Sequence, residues 1–130
     1  MKLDHIGIAV TDLQAGIAKY EALFQRKPDH LERVEGQKVD VAMFRAGETD
    51  IELLQGIDES SPIARFIEKR GEGIHHMCYA VANLEKALAD ATAAGMEEIK
   101  LENNRGVGGS QVAFLHPRTT GGVLIELVQR

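Results

Sequence analysis

The chain repeats itself once. His5-Ile6-Gly7-Ile8-Ala9-Val10-Thr11-Asp12-Leu13 reads like His76-Met77-Cys78-Tyr79-Ala80-Val81-Ala82-Asn83-Leu84, with His, Ala, Val and Leu recurring at a constant offset of 71 residues. Val41-Ala42 matches Val112-Ala113 at the same offset, and Asp50-Ile51-Glu52-Leu53-Leu54-Gln55 resembles Leu124-Ile125-Glu126-Leu127-Val128-Gln129 at an offset of 74. Three matched segments in one order point to an internal duplication. A chain of 130 residues has the length of one domain. The two copies are therefore expected to share a single domain over residues 1–130. Module one spans about residues 1–56, a linker helix about 61–71, and module two about 72–130.

Each copy reads as a strand, a helix and then further strands. Residues 3–10 alternate in the β manner, and Thr11 or Asp12 caps a helix whose stripe is Leu13, Ile17, Tyr20 and Phe24. Residues 37–45 and 49–55 read as strands joined at Ala46-Gly47-Glu48. In the second copy 74–81 is a strand, Asn83 a cap, Leu84, Leu88 and Ala91 a helical stripe, and Gly95 its stop. Strands follow near 98–101, 110–116 and 122–129, while Ser60-Ser61-Pro62 starts the linker helix. The expected class is α+β: two tandem βαβββ modules forming a curved mixed sheet around a cavity.

Strand parity then selects residues. His5, Gly7 and Ala9 share one face, and His76, Cys78 and Ala80 share the matching face of the second copy. Each last strand places one carboxylate, Glu52 or Glu126, between aliphatic neighbours. A face of histidine, small residues and glutamate is a poor core but a sound cavity wall. Taken singly, a strand His is a hydrogen-bonded structural residue and a strand Glu a solvated one. Solvation gives no reason for the same placement in both copies. Two imidazoles and two carboxylates make a mixed N/O set for Zn, Co, Ni, Fe or Mn, without the thiolates of a structural zinc site. His75 has the wrong parity and no partner in the first copy, so it reads as structural or as a support for the site. His30 and His116 read as loop residues, and Cys78 as a small buried one.

Other features narrow the function. A net charge of −5 without a basic run argues against nucleic acid. No run of about 18 apolar residues offers a membrane span, and the N-terminus lacks the apolar stretch of a signal peptide. The single cysteine excludes an intrachain disulfide and suits a reducing cytoplasm. Gly106-Val107-Gly108-Gly109-Ser110 reads foremost as a turn, with Gly108, Gly109 and Ser110 as candidate substrate contacts through backbone N–H groups. Arg118, in the loop His116-Pro117-Arg118-Thr119-Thr120-Gly121-Gly122, is a candidate for a carboxylate or phosphate.

The paired modules, each offering His then Glu, resemble the vicinal oxygen chelate superfamily, which includes the glyoxalases. Within it, Leu3-Asp4-His5-Ile6-Gly7-Ile8-Ala9-Val10, Gly71-Glu72-Gly73-Ile74-His75-His76-Met77 and the stretch from His116 through Gly122 to Leu127 resemble the methylmalonyl-CoA epimerase family. That resemblance covers essentially the whole chain and implies His5, Glu52, His76 and Glu126 as ligands of one divalent ion, Co2+ foremost, with Zn2+, Ni2+ or Mn2+ as alternatives. It further implies an acyl-CoA substrate, a homodimer and a cytoplasmic location. The implied reaction is 2R/2S interconversion by α-proton removal, with an ion chelated by thioester and carboxylate oxygens stabilising the enolate. Glu126 would move the α-proton, and Glu52 or a water would serve the opposite face.

The sequence departs from the family in two places. Gln55-Gly56 replaces the Glu-Pro that often ends the first Glu strand. Val41 stands where some members carry a further glutamate, with Asp40 one residue off and of opposite parity. The rival readings are a lactoylglutathione lyase, an iron dioxygenase (disfavoured by a fourth ligand, Glu52) and a non-catalytic small-molecule-binding member, which often loses these ligands.

Overall fold

The computed structural model of the chain describes residues 1–101 and 104–130. The first module runs β1 (Lys2–Ala9), α1 (Leu13–Phe24), β2 (His30–Val34), β3 (Val39–Ala46) and β4 (Thr49–Gly56). After α2 (Pro62–Arg70) the second runs β5 (Gly73–Val81), α3 (Leu84–Ala93), β6 (Glu98–Ile99), β7 (Val112–Leu115) and β8 (Ile125–Gln129). All eight strands form one curved mixed sheet in the order β2-β3-β4-β1-β5-β8-β7-β6. Read outward from the β1–β5 centre, the two sides carry equivalent strands. The central pair is antiparallel, while β1–β4 and β5–β8 are parallel.

The caps explain where the helices begin. Asp12 and Asn83, equivalent in the repeat, accept from the backbone N–H groups of Ala15 and Lys86 at 3.2 and 3.0 Å. Gln55 and Gln129, at the ends of the two Glu strands, accept from the Leu13 and Leu84 N–H groups at 2.7 and 2.9 Å. Each glutamine oxygen thus satisfies an orphan donor in the first turn of its helix. Gly95, with φ +94°, lets the chain turn away after α3.

Two like cores cover the outer face. Leu13 and Ile17 of α1 pack with Val10, Ala42, Phe44 and Leu53, and Leu84 of α3 packs with Val81, Ala113, Leu115 and Leu127. On the inner face Ile63 of α2 joins Ala9, Val39, Val41 and Leu54. These packings fix the sheet that positions the site.

The structure corrects three expectations. His30 opens β2 rather than lying in a loop; this edge strand leaves Leu31 exposed and so lacks the alternation that betrays a half-buried strand. Only Glu98 and Ile99 of the strand expected near 98–101 pair with a neighbour. The last two strands begin later than expected, at Val112 and Ile125.

Candidate metal centre

Strand register brings the four repeat-selected residues to one point. On β1, Gly7 pairs with Glu52 of β4; on β5, Cys78, the counterpart of Gly7, pairs with Glu126 of β8. Across the centre, His5 faces Cys78 and Gly7 faces His76. The Nε2 atoms of His5 and His76 are 3.2 Å apart, and Glu126 Oε1 lies 3.0 Å from each. Glu52 joins them: one ligand atom each from His5, Glu52 and His76 lies within 4.8 Å of the others, and Glu52 Oε2 is 3.5 Å from His5 Nδ1. All four side chains are buried.

Gly7 is needed for this packing. A Cβ at position 7 would lie 2.2 Å from Cε1 of the His76 ring. The His76 ring therefore occupies the space a side chain at position 7 would fill. The ring of His5 lies against the Cys78 thiol instead, and burial pushes that thiol up to about 12, so it stays protonated.

Two β-bulges add residues that strand parity hides. Asp4 falls between the Leu3–Tyr79 and His5–Cys78 pairs and has no partner across the sheet. A bulge turns consecutive side chains toward one side, and Asp4 is buried next to His5, accepting from His5 Nδ1 at 2.8 Å. Arg130 completes the group, its Nε and Nη2 donating to Asp4 at 2.8 and 3.2 Å. In β5 the same irregularity leaves His75 unpaired between Ile74 and His76, with the two Nδ1 atoms 2.9 Å apart. Parity therefore misplaces His75: it lies against His76, and its counterpart in the first copy, at the offset of 71, is Asp4. An acidic residue or a second histidine directly before each repeated histidine was the available signal.

The remaining candidates divide. Ser110 lines the small cavity among the four residues, with its Oγ 3.4 Å from Arg130 Nη1. The Gly108 N–H is taken by the Glu32 carboxylate at 3.0 Å, and the Gly109 carbonyl accepts from Arg105. Arg118 is not brought to the site; it pairs with Glu97 at 3.3 Å. Val41 lines the cavity, while Asp40 is bound by Arg33 at 2.7 Å and is not available as a base.

The buried groups of the cluster shift one another strongly. Burial opposes charge on His5, yet its hydrogen bonds to Asp4, Cys78 and Glu126 and the nearby Glu52 outweigh it, holding His5 far above the histidine range. Glu126 is brought down to about 2, because hydrogen bonds from His5 and His76 overcome the burial that would raise it. Burial holds Glu52 above the ordinary carboxylate range, with His5 opposing only in part. Burial likewise sends His75 down to about 4, with the neighbouring His76 adding to it.

A divalent ion fits these residues. The cavity among them has a volume of about 20 Å³, room for one small sphere. Donors about 2.1 Å from a six-coordinate ion are separated by about 3.0 Å, and the Nε2–Nε2–Oε1 triangle has sides of 3.2, 3.0 and 3.0 Å. In both histidines Nδ1 already has a partner, which leaves Nε2 as the ligating atom.

Comparison with known proteins places this architecture. Residues 4–114 match the family model described as the Glyoxalase/Bleomycin resistance protein/Dioxygenase superfamily, so the fold and the site define a member of that superfamily. The chain is 38% identical over 141 residues to the ethylmalonyl-CoA/methylmalonyl-CoA epimerase of Cereibacter sphaeroides, covering 98% of this chain and 97% of that protein. It is also 38% identical over 128 residues to an uncharacterized Bacillus subtilis protein, covering 98% and 91%. A solved variant of Streptomyces coelicolor methylmalonyl-CoA epimerase, in complex with 2-nitronate-propionyl-CoA, superposes with a TM-score of 0.92 at 36% identity, covering 99% and 96%. The chain belongs to the methylmalonyl-CoA epimerase family of that superfamily.

Proposed function

We propose that this chain interconverts the 2R and 2S epimers of methylmalonyl-CoA at a divalent-ion centre held by His5, Glu52, His76 and Glu126. The observation that carries the proposal is the buried triangle of two imidazole nitrogens and one carboxylate oxygen, with a second buried carboxylate beside it. When bound, the ion supplies positive charge where an enolate develops, without needing a proton.

The chain's own residues supply the rest. A cavity of about 410 Å³ opens beside His76, walled by Val39, Leu54, Ile63, Phe114 and Leu124, with Lys38 and Lys100 on its lining. Its apolar wall suits the acyl arm of a thioester, and Lys38, whose Nζ donates to the uncharged Ser60 hydroxyl at 2.6 Å, supplies a cation for an anionic carrier, whereas Lys100 pairs with Glu98 at 3.3 Å. Glu126 and Glu52 approach the centre from opposite halves of the sheet, as a two-face proton exchange requires. Burial sets Glu52 above the ordinary carboxylate range while hydrogen bonds from both histidines hold Glu126 below it, so the two carboxylates are unlike, with Glu126 assigned to one face of the α-carbon and Glu52 to the other. A homodimer and a cytoplasmic location complete the proposal, the latter in keeping with the free, buried Cys78. Among the described residues, no helix is long and apolar enough to cross a membrane.

The test offers the ion-loaded protein two substrates: (2S)-methylmalonyl-CoA and the hemithioacetal of methylglyoxal and glutathione. Epimerisation of the first, with at most about a hundredth of that kcat/KM on the second, is the expected result; each tenfold step corresponds to about 1.4 kcal/mol of transition-state discrimination. The reverse preference would make the protein a lactoylglutathione lyase.

The ion must also displace protons. A ligating imidazole is neutral, and His5 keeps its proton well above the ordinary histidine value of about 6.5. Its raised value means the proton competes up to high pH, so affinity for Zn2+ should climb about tenfold per pH unit from pH 6 to 8, read by competition with a chromogenic chelator. Affinity that levels off above pH 7 would contradict the protonated His5.

A further inference from the structure

The internal duplication gives His75 and Asp4 equivalent positions, and the structure gives them equivalent neighbours. Each is the residue a bulge leaves without a partner across the sheet, and each lies within hydrogen-bond distance of Nδ1 on the histidine that follows, at 2.9 and 2.8 Å. Their settings differ. Asp4 keeps a charge because His5 hydrogen-bonds it and Arg130 binds both of its oxygens. His75 instead packs edge-on against Phe66 of α2 (ring centroids 5.0 Å apart, planes at 84°), a helix with no counterpart in the first module. A carboxylate buried against that ring would be costly to desolvate, whereas a neutral imidazole accepts a hydrogen bond without carrying charge.

We propose that His75 is a positioning residue: its Nδ1 accepts the Nδ1–H of His76, as Asp4 accepts that of His5, and so fixes the tautomer that presents His76 Nε2 to the ion. This rests on the ion-site reading above. With its Nε2 lone pair directed into the centre, neutral His76 must carry its proton on Nδ1. The partner at 2.9 Å must then be an acceptor, which places the His75 proton on its own Nε2. The two histidines form a short directional chain, and the repeat supports its two ligating imidazoles by different chemistry, an anion on one side and a neutral ring on the other.

The substitutions His75→Phe and His75→Asn separate this role from packing. Phe keeps a ring against Phe66 but removes the acceptor; Asn places its Oδ1 where Nδ1 stood. Zn2+ affinity by competition titration and the tautomers of the Zn2+-loaded protein by long-range 1H–15N correlation are the readouts, with melting temperatures as the folding control. We expect wild-type His76 to be Nδ1-protonated and His75 Nε2-protonated. His75→Phe should weaken Zn2+ binding about 10- to 100-fold and shift the His76 Nδ1 resonance, and His75→Asn should return affinity to within about threefold of wild type. Unchanged affinity and an unchanged His76 Nδ1 resonance in a folded His75→Phe variant would overturn the proposal. A folded His75→Asn variant as weak as His75→Phe would overturn it too. A wild-type protein that binds no Zn2+ would overturn the ion-site reading, a result distinct from either of these.

Discussion

Glu126→Gln should lower epimerisation by about 10²- to 10⁴-fold, the usual contribution of a positioned proton-transfer group, while the folded protein still binds a divalent ion. The amide keeps a carbonyl oxygen in place of Oε1, which lies 3.0 Å from both histidine nitrogens. What it loses is the negative charge and the ability to take a proton. Glu52→Gln is the informative partner, because Glu52 is not one of the three groups of the triangle. If the carboxylates serve opposite faces of the α-carbon, each variant slows solvent exchange more from one epimer than from the other. Equal loss from both epimers in both variants would reject the division of labour. Full activity of Glu126→Gln would remove Glu126 from proton transfer altogether.

Gly7→Ala is the second large effect, and it involves no titratable group. The new methyl would lie 2.2 Å from Cε1, 2.6 Å from Nδ1 and 2.8 Å from Nε2 of His76. No real Cβ tolerates that approach, so the ring must leave the β1 backbone. The ring is also the neighbour of His5, His75 and Phe114, in edge-on contacts of 5.3, 5.2 and 6.0 Å. Moving the ring away from β1 pulls Nε2 off the triangle. Overpacking of this kind costs about 1–3 kcal/mol of stability. Loss of one ligand should weaken Zn2+ binding by at least about 100-fold, beyond what disturbing an outer partner achieves. Gly16→Ala is the control: there the nearest atom to a new Cβ is Leu53 Cδ1 at 3.4 Å, and affinity should not change. A Gly7→Ala protein with wild-type affinity would show that His76 is not held as described.

Much of the fold was legible because the repeat carries its own register. An offset of 71 residues made His5 and His76 equivalent, and one of 74 aligned Glu52 with Glu126. Strand parity then put all four on one face, and the sheet order places them around one point. The helix caps Asp12, Asn83 and Ser61 were equally local, since each accepts from a backbone N–H two or three residues on. Parity broke down where the strands bulge. It sends Asp4 and His75 to the outer face, whereas both bulges turn them onto their neighbours. Arg130 was beyond any local reading, because its partner lies 126 residues away in sequence. Arg118 and Gly108 illustrate the opposite difficulty. Their chemistry suits an anion, but Glu97 and Glu32 already supply one.

As proposed above, this chain moves the α-proton of methylmalonyl-CoA at a divalent-ion centre made by both halves of the repeat. The most direct measurement incubates one epimer with the protein in D2O, Co2+-loaded and chelator-treated, and follows deuterium at the α-carbon together with chirality. The Co2+-loaded protein should wash in deuterium as it epimerises, and the chelator-treated protein should do neither until Co2+ is restored. Epimerisation or exchange that persists at full rate after complete ion removal would contradict the account, as would an ion-loaded protein that leaves the α-proton in place.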